Sequence, residues 1–218
     1  MARFLPLVVL LFLLFSTFPV YSATFDIPSG EVTGLIGAIN AANANGEENT
    51  INLEPGTYTL TEIDNGVPSD SNGLPVITGI ITIHGNDAQT THLERSSTAR
   101  FRILSIASYG DLTIEGLTVR NGFVGFRTGG FANDGILTIE RSIIENMLCC
   151  TFGEEGAFSI DNAGILEISD THVRKGLSRF GTSAIRNLGT MTIVRSSISF
   201  NSSDAATVVN LGVATIDD

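Results

Sequence analysis

The sequence predicts an all-β fold, a right-handed parallel β-helix solenoid with a short N-terminal capping helix, and three observations lead to it. One frame is rewritten along the chain: IASYGDLTIEGLTVRNG at Ile106–Gly122, FANDGILTIERSIIEN at Phe131–Asn146, SIDNAGILEISDTHVRKG at Ser159–Gly176, IRNLGTMTIVRSSISF at Ile185–Phe200 and VVNLGVATIDD at Val208–Asp218. Its glycines, Gly110, Gly135, Gly164, Gly189 and Gly212, are 25, 29, 25 and 23 residues apart, which is a solenoid period. Each copy also alternates apolar and polar residues with period 2, so one set of side chains points inward and stacks coil on coil. Two rival architectures lack their marks: there is no Trp for propeller blades and no LxxLxL frame for a leucine-rich repeat.

The aligned copies give the cross-section. Inward columns are expected at Leu112, Leu137, Leu166, Met191 and Ala214; at Ile114, Ile139, Ile168, Ile193 and Ile216; at Val119, Ile144, Val173 and Ile198; and at Ile106, Phe131, Ile160, Ile185 and Val208. A polar column sits two residues before each glycine, with Asn133, Asn162, Asn187 and Asn210 preceded by Ser108. Neighbouring strands lie about 4.8 Å apart, a distance at which one asparagine amide reaches the next, so this column reads as a structural ladder at a bend.

The front of the chain differs. Arg3 followed by the apolar run Phe4–Phe15 and the small-residue ending Val20-Tyr21-Ser22-Ala23 marks residues 1–22 as an export leader cleaved after Ser22, too short in its apolar core to span a bilayer. Residues 23–48 are expected to hold a short strand at Ala23–Pro28 and a helix over Thr33–Ala44. Thr33 is its expected N-cap, Leu35, Ile36, Ile39 and Ala42 its apolar face and Asn45-Gly46 its end. Such a helix covers the open end of a hydrophobic column. Residues 49–218 form the β-helix: strands at Thr50–Leu53 and Thr57–Leu60 flank Pro55-Gly56, a polar loop occupies Asp64–Gly73, and strands resume at Pro75–Thr78, Gly79–His84, Thr91–Glu94 and Phe101–Ala107, with Ile51 and Ile81 as equivalents. The last copy stops soon after Ile216, so a longer stack is expected, with Leu211–Ile216 as an edge able to pair with a partner.

The formal charge is −11, and loss of Arg3 with the leader leaves 11 basic against 23 acidic residues, −12. A surface this acidic excludes nucleic acid as a general partner. Cys149 and Cys150 are adjacent, which supplies neither a disulfide framework nor a zinc site.

The stretches LIGAINAANANGEENTINLEPGTYTL (Leu35–Leu60) and NGLPVITGIITIHGN (Asn72–Asn86) resemble the front end of exported bacterial β-helix proteins with a CSLREA-type N-terminal region. The later copies resemble polymorphic outer-membrane-protein-like repeats, with Gly129-Gly130-Phe131-Ala132-Asn133 standing where GGAI-like residues would and Ile198-Ser199-Phe200-Asn201 matching their second half. The likeness covers nearly all of the chain after the leader. It departs at Thr33-Gly34-Leu35-Ile36-Gly37, where the family reads Cys-Ser-Leu-Arg-Glu, so no role of that Cys, Arg or Glu carries over. The resemblance implies export and the pectate-lyase-like superfold, which hosts polysaccharide lyases and hydrolases alongside adhesins.

Lyases on that superfold hold a cation with acidic side chains and use an Arg or Lys base on an outer face. The outward column Arg120, Glu145, Arg174, Ser199 is therefore the first catalytic candidate, and an exposed ion-pair stack is the other account of it. Asp161 over Arg186 reads the same way. Asp70-Ser71-Asn72-Gly73 begins a calcium-loop pattern without its trailing glutamate. The acids Glu154, Glu155, Asp161, Glu167 and Asp170 supply carboxylates but no distinctive pair, and His84, His92 and His172 share no metal-ligand spacing. Phe126, Arg127, Phe152, Arg179 and Phe180 fall in the loops between copies, where aromatic faces beside guanidinium groups make a binding edge.

The sequence thus leads to a secreted or cell-surface module with a structural, adhesive or glycan-binding role and no required cofactor. Its expected partner is an extracellular polysaccharide or a cell-surface molecule. The alternative is a lyase or hydrolase acting on acidic extracellular glycans, with calcium as its possible cation.

Overall fold

A computed structural model of the chain describes residues 21–67, 70–124, 128–149, 159–176, 184–201 and 207–217. Residues 1–20 of the expected leader lie outside that set, as do Phe126, Arg127, Phe152, Arg179 and Phe180 of the expected binding edge. The described residues wind into a parallel β-solenoid of about six turns. Three larger parallel sheets form its faces, the third beginning at Leu104. The longest holds eight strands: Thr24–Ile27, Glu48–Leu53, Ile80–Gly85, Asp111–Glu115, Ile136–Glu140, Ile165–Ser169, Thr190–Val194 and Val213–Asp217. A six-strand sheet holds Gly56–Leu60, Thr91–Arg95, Thr118–Arg120, Ile143–Glu145, His172–Arg174 and Ser197–Ser199, and a five-strand sheet holds Leu104–Ile106, Phe131–Asn133, Ile160–Asn162, Ile185–Asn187 and Val208–Asn210.

The inward columns stack in register as the repeat requires. Leu112, Leu137, Leu166, Met191 and Ala214 are successive partners, as are Ile114, Ile139, Ile168, Ile193 and Ile216. All but the last coil's members are buried. The glycine column has a steric cause. A Cβ on Gly164 would stand 2.0 Å from the Gly135 carbonyl oxygen, one on Gly189 2.0 Å from that of Gly164, and one on Gly212 2.0 Å from that of Gly189. The backbones approach too closely for any side chain.

Two register expectations are corrected. Phe131 pairs with Leu104 and Asn133 with Ile106, so Ile106 belongs under the asparagine column and Ser108 is not part of it. The turn before Gly110 is two residues longer than the later ones, which moves the alignment by that amount. Ile51 likewise pairs with Ile83, and Ile81 with Asn49.

The corners are built from left-handed residues. Gly116, Arg141, Asp170 and Arg195 have φ of 66, 46, 49 and 45°, and Asn121, Asn146, Lys175 and Phe200 have φ of 64, 53, 56 and 53°. One such residue turns the chain from sheet to sheet. Its N–H still reaches the next coil, as in Arg141 N to Ser169 O at 3.1 Å and Asp170 N to Val194 O at 3.2 Å. These bonds offset the strain of a non-glycine residue in that region, about 1–2 kcal/mol.

Helix α1 spans Val32–Asn45 and buries Leu35, Ala38, Ile39 and Ala42 against the first coils. Gly46, at φ 75°, ends it as expected. The N-cap is Glu31 rather than Thr33, with no side-chain capping bond. The segment expected as a polar loop contains a short antiparallel pair, Asn65–Val67 with Asp70–Asn72. No described helix is long and apolar enough to cross a membrane.

Candidate functional site

The asparagine column is a continuous amide ladder. Asn133 Nδ2 donates to Asn162 Oδ1 at 2.6 Å, Asn162 to Asn187 at 2.6 Å and Asn187 to Asn210 at 2.7 Å. Each Nδ2 also donates to a strand carbonyl of the next coil, Ile165, Thr190 and Val213 in turn. The first three asparagines are fully buried, so the column from Asn133 to Asn187 is closed to a ligand. A second ladder, unanticipated from sequence, runs at the other end of the eight-strand sheet: Ser142, Thr171 and Ser196 each donate a hydroxyl to their own strand and accept an N–H from the preceding coil. Its only sequence mark is a hydroxyl residue seven positions after each of three marker glycines.

Arg120, Glu145 and Arg174 share one outward column, as their spacing requires. They do not form a single cluster. Arg120 Nε donates to Glu94 Oε2 at 2.7 Å, a partner the repeat alignment did not reach, while Arg174 Nε donates to Glu145 Oε2 at 3.0 Å and Lys175 stands 3.6 Å from the same oxygen. Every member is held in an ion pair, and part-exposed pairs of this kind contribute about 0–1 kcal/mol. Asp161, fully buried, accepts a two-pronged bond from Arg186, with both contacts at 2.8 Å. In the string Asp70-Ser71-Asn72, Asp70 pairs with the buried Arg102 and Asn72 Oδ1 accepts from Ser105. These bonds tie the string to the neighbouring segment Arg102–Ser105.

Among the described residues, Arg95 lies over the rings of Phe101 and Phe123 at 5.1 and 5.6 Å, and Arg100 lies over Phe123 at 5.0 Å. Phe101 is fully buried and Arg95 nearly so, so this stack closes the side of the core. Burial pushes the Arg95 guanidinium below its ordinary value.

A feature with open space and a file of polar groups lies elsewhere, and sequence reasoning missed it. Along the end of the eight-strand sheet runs an outward file of Asp26, Asn52, His84, Glu115 and Glu140, in register from coil to coil. Beside it the corner varies in length. After Glu115 and Glu140 it is two residues, but after Gly85 it takes five, Asn86–Thr90, before the next strand begins at Thr91. Asp87 shapes this longer turn by accepting the N–H groups of Gln89, Thr90 and Thr91. Thr118 Oγ1 donates to Ala88 O at 2.6 Å and pins the turn against the following coil. The turn stands up as a wall. Two adjoining clefts of about 380 and 210 Å³ follow, sharing His84 and Asn86; Asp26, Asn52 and Glu54 line the first, Asp87, Glu115 and Arg141 the second.

The file is pre-ordered by bonds across coils. Asn52 Nδ2 donates to Asp26 Oδ1 at 2.8 Å, His84 Nδ1 stands 3.5 Å from Glu115 Oε2, and Arg141 bridges Glu115 and Glu140. Burial pushes the Glu115 carboxyl up, but the bond and charge of Arg141, with His84 behind them, outweigh it and hold the group below its ordinary value. Glu115 is thus a fixed carboxylate at neutral pH. Chemically the groove presents planar amide, imidazole, carboxylate and guanidinium groups about one inter-strand spacing apart, which is a surface for hydroxyl-bearing ligands. The signal that could have found it was the five-residue turn between two strands whose neighbours are joined by two. Among the described residues no group of three or more His, Cys, Asp or Glu is placed to hold a metal. Compared with protein families, curated proteins and solved structures, the chain gives no match.

Proposed function

We propose that the chain is an exported, cell-surface or secreted β-solenoid module that binds an extracellular glycan along the groove beside His84. The observation that carries this reading is the file Asp26–Asn52–His84–Glu115, held by cross-coil bonds next to an open cleft. Paired planar polar groups at about 4.8 Å repeat suit a chain of rings with hydroxyls on both edges, and pre-ordering them lowers the entropy of binding. The leader-like residues 1–22 and the resemblance to exported β-helix proteins support the location. A polysaccharide lyase at Arg120, Glu145 and Arg174 is less favoured, because each of those guanidinium groups already has a carboxylate partner.

The test is an oligosaccharide panel against the folded chain without its leader. Binding that falls in Asn52→Ala and His84→Ala, while circular dichroism keeps its strand signal, is expected. Binding untouched by both substitutions removes the groove from the account.

A further inference from the structure

The groove also carries information about the charge of its ligand, an inference that rests on the glycan reading above. Between residues 23 and 94 the chain contains ten Asp or Glu and not one Lys or Arg. Both clefts beside His84 open onto coils drawn from that stretch and the one after it. Their lining has four carboxylates, Asp26, Glu54, Asp87 and Glu115, against the single guanidinium of Arg141. That guanidinium is already shared between Glu115 and Glu140. Asp26, Glu54 and Asp87 bond to an amide or to backbone N–H groups instead, and none forms an ion pair with a cationic side chain among the described residues.

We propose that the ligand of this groove is a cationic glycan, a chain of sugars bearing free amino groups. An ammonium group entering the first cleft beside Asp26 and Glu54, or the second beside Asp87, meets carboxylates that have no cationic side-chain partner among the described residues, in a partly enclosed space where opposite charges attract more strongly than in bulk water. A uronate chain meets the same carboxylates as repulsion. The apolar lining amounts to Leu53, Pro55 and Ala88, too little for the apolar core that a protein partner needs. The asparagines Asn52 and Asn86 supply donors and acceptors for ring hydroxyls, which an ammonium-bearing peptide does not have.

Calorimetric titration of the folded chain with four matched probes tests this: a glucosamine hexamer, its N-acetylated counterpart, an oligogalacturonate and hexalysine. The free-amine hexamer is expected to bind about tenfold more tightly than the acetylated one, the worth of one charge-assisted hydrogen bond, and to weaken as salt is raised. Asp26→Asn and Asp87→Asn each lower that preference, while Asn52→Ala weakens both hexamers alike. Equal affinity for the two hexamers, or binding of the uronate, overturns the charge assignment and leaves the groove as a glycan site. Hexalysine binding as tightly as the glucosamine hexamer also overturns it, because the groove then reads charge without reading sugar. No hexamer binding at all, or binding indifferent to Asn52→Ala, overturns the groove reading itself.

Discussion

Residues 128–217 hold their coils together with repeated ladders, whereas residues 24–95 do so with a helix and a few individual ties. In the later coils the amide ladder, the hydroxyl ladder and the glycine column recur at fixed offsets, and the two corners are always a single left-handed residue plus its bonded neighbour. In the early coils the corresponding work is done once each. Tyr58 OH donates to Ile27 O at 2.9 Å, Asn43 ties α1 to Val76, Thr78 and Gly79, and Asn49 closes on Asn45 and Glu47. In the later coils the corner after the eight-strand sheet is two residues each time, and the longer corner that builds the groove is found where that regularity lapses. In this molecule the repeated part is the framework and the irregular part carries the candidate site.

The largest effect that separates the two regions is expected from one glycine. In Gly164→Ala the new methyl falls 2.0 Å from the Gly135 carbonyl oxygen and 2.9 Å from the backbone of Asp134. Both neighbours are main chain, so neither can rotate away, and the coils must part. Overpacking of this kind costs about 3 kcal/mol. Urea denaturation of wild type and variant measures it; a loss below about 1 kcal/mol would mean that the stack is softer than its carbonyl contacts imply.

Next comes the ladder itself. Asn162→Ala removes a fully buried amide that donates to Asn187 and to Thr190 O and accepts from Asn133. Partners left unsatisfied in the core cost about 2 kcal/mol. Asn210, exposed in the last described coil, carries the same residue type in the same column. Asn210→Ala is therefore expected to cost well under half as much by the same denaturation measurement, and equal losses at the two positions would remove burial as the reason the ladder matters.

The contrast between the regions also explains what could be read from sequence. Columns such as Leu137–Leu166–Met191 were legible because in-register parallel stacking copies an apolar residue to the same offset in each copy. The amide ladder was legible for the same reason. Ser108 failed because sequence offset is measured along the chain, whereas the ladder is measured across it, and a turn two residues longer separates the two. The partner of Arg120 failed likewise: Glu94 lies in a coil too irregular to align. The groove drew on neither kind of repetition. It depends on a change in corner length between neighbours, and a search for sameness passes over such a change. The corner residues show a further limit, since Gly116, Arg141 and Asp170 share a conformation without sharing a chemistry.

In the early region the glycine rule reverses. Gly37 sits on the exposed side of α1, and a Cβ there meets nothing within 4 Å. Gly37→Ala removes backbone freedom from the unfolded chain and satisfies helix propensity, a gain of about 1 kcal/mol. Thermal unfolding of Gly37→Ala beside Gly164→Ala should give shifts of opposite sign, and a loss at Gly37 would mean that this helix position is not as open as its surroundings imply.

The smallest expected effect falls on one strand where the two regions meet, Asp111–Glu115. Burial first, then repulsion from Glu48 and Glu167, holds the Asp111 carboxyl above its ordinary value, while Arg141 and His84 hold Glu115 at the other end below its own. The signs are opposite. A raised folded value means the native state grips the proton more tightly, so the contribution of Asp111 is fully present below its unfolded value and is lost as pH rises through the folded one. At pH 7 its charge therefore weakens the coil, and Asp111→Asn should raise the melting temperature there, with the gain vanishing below about pH 4 where the unfolded carboxyl is itself protonated. Glu115 contributes stability that is present above its unfolded value and lost as pH falls through its lowered folded value. Glu115→Gln should accordingly lower the melting temperature at pH 7 and converge on wild type in acid. If both variants moved the same way at pH 7, the difference between the ends of this strand would lie in packing rather than in charge.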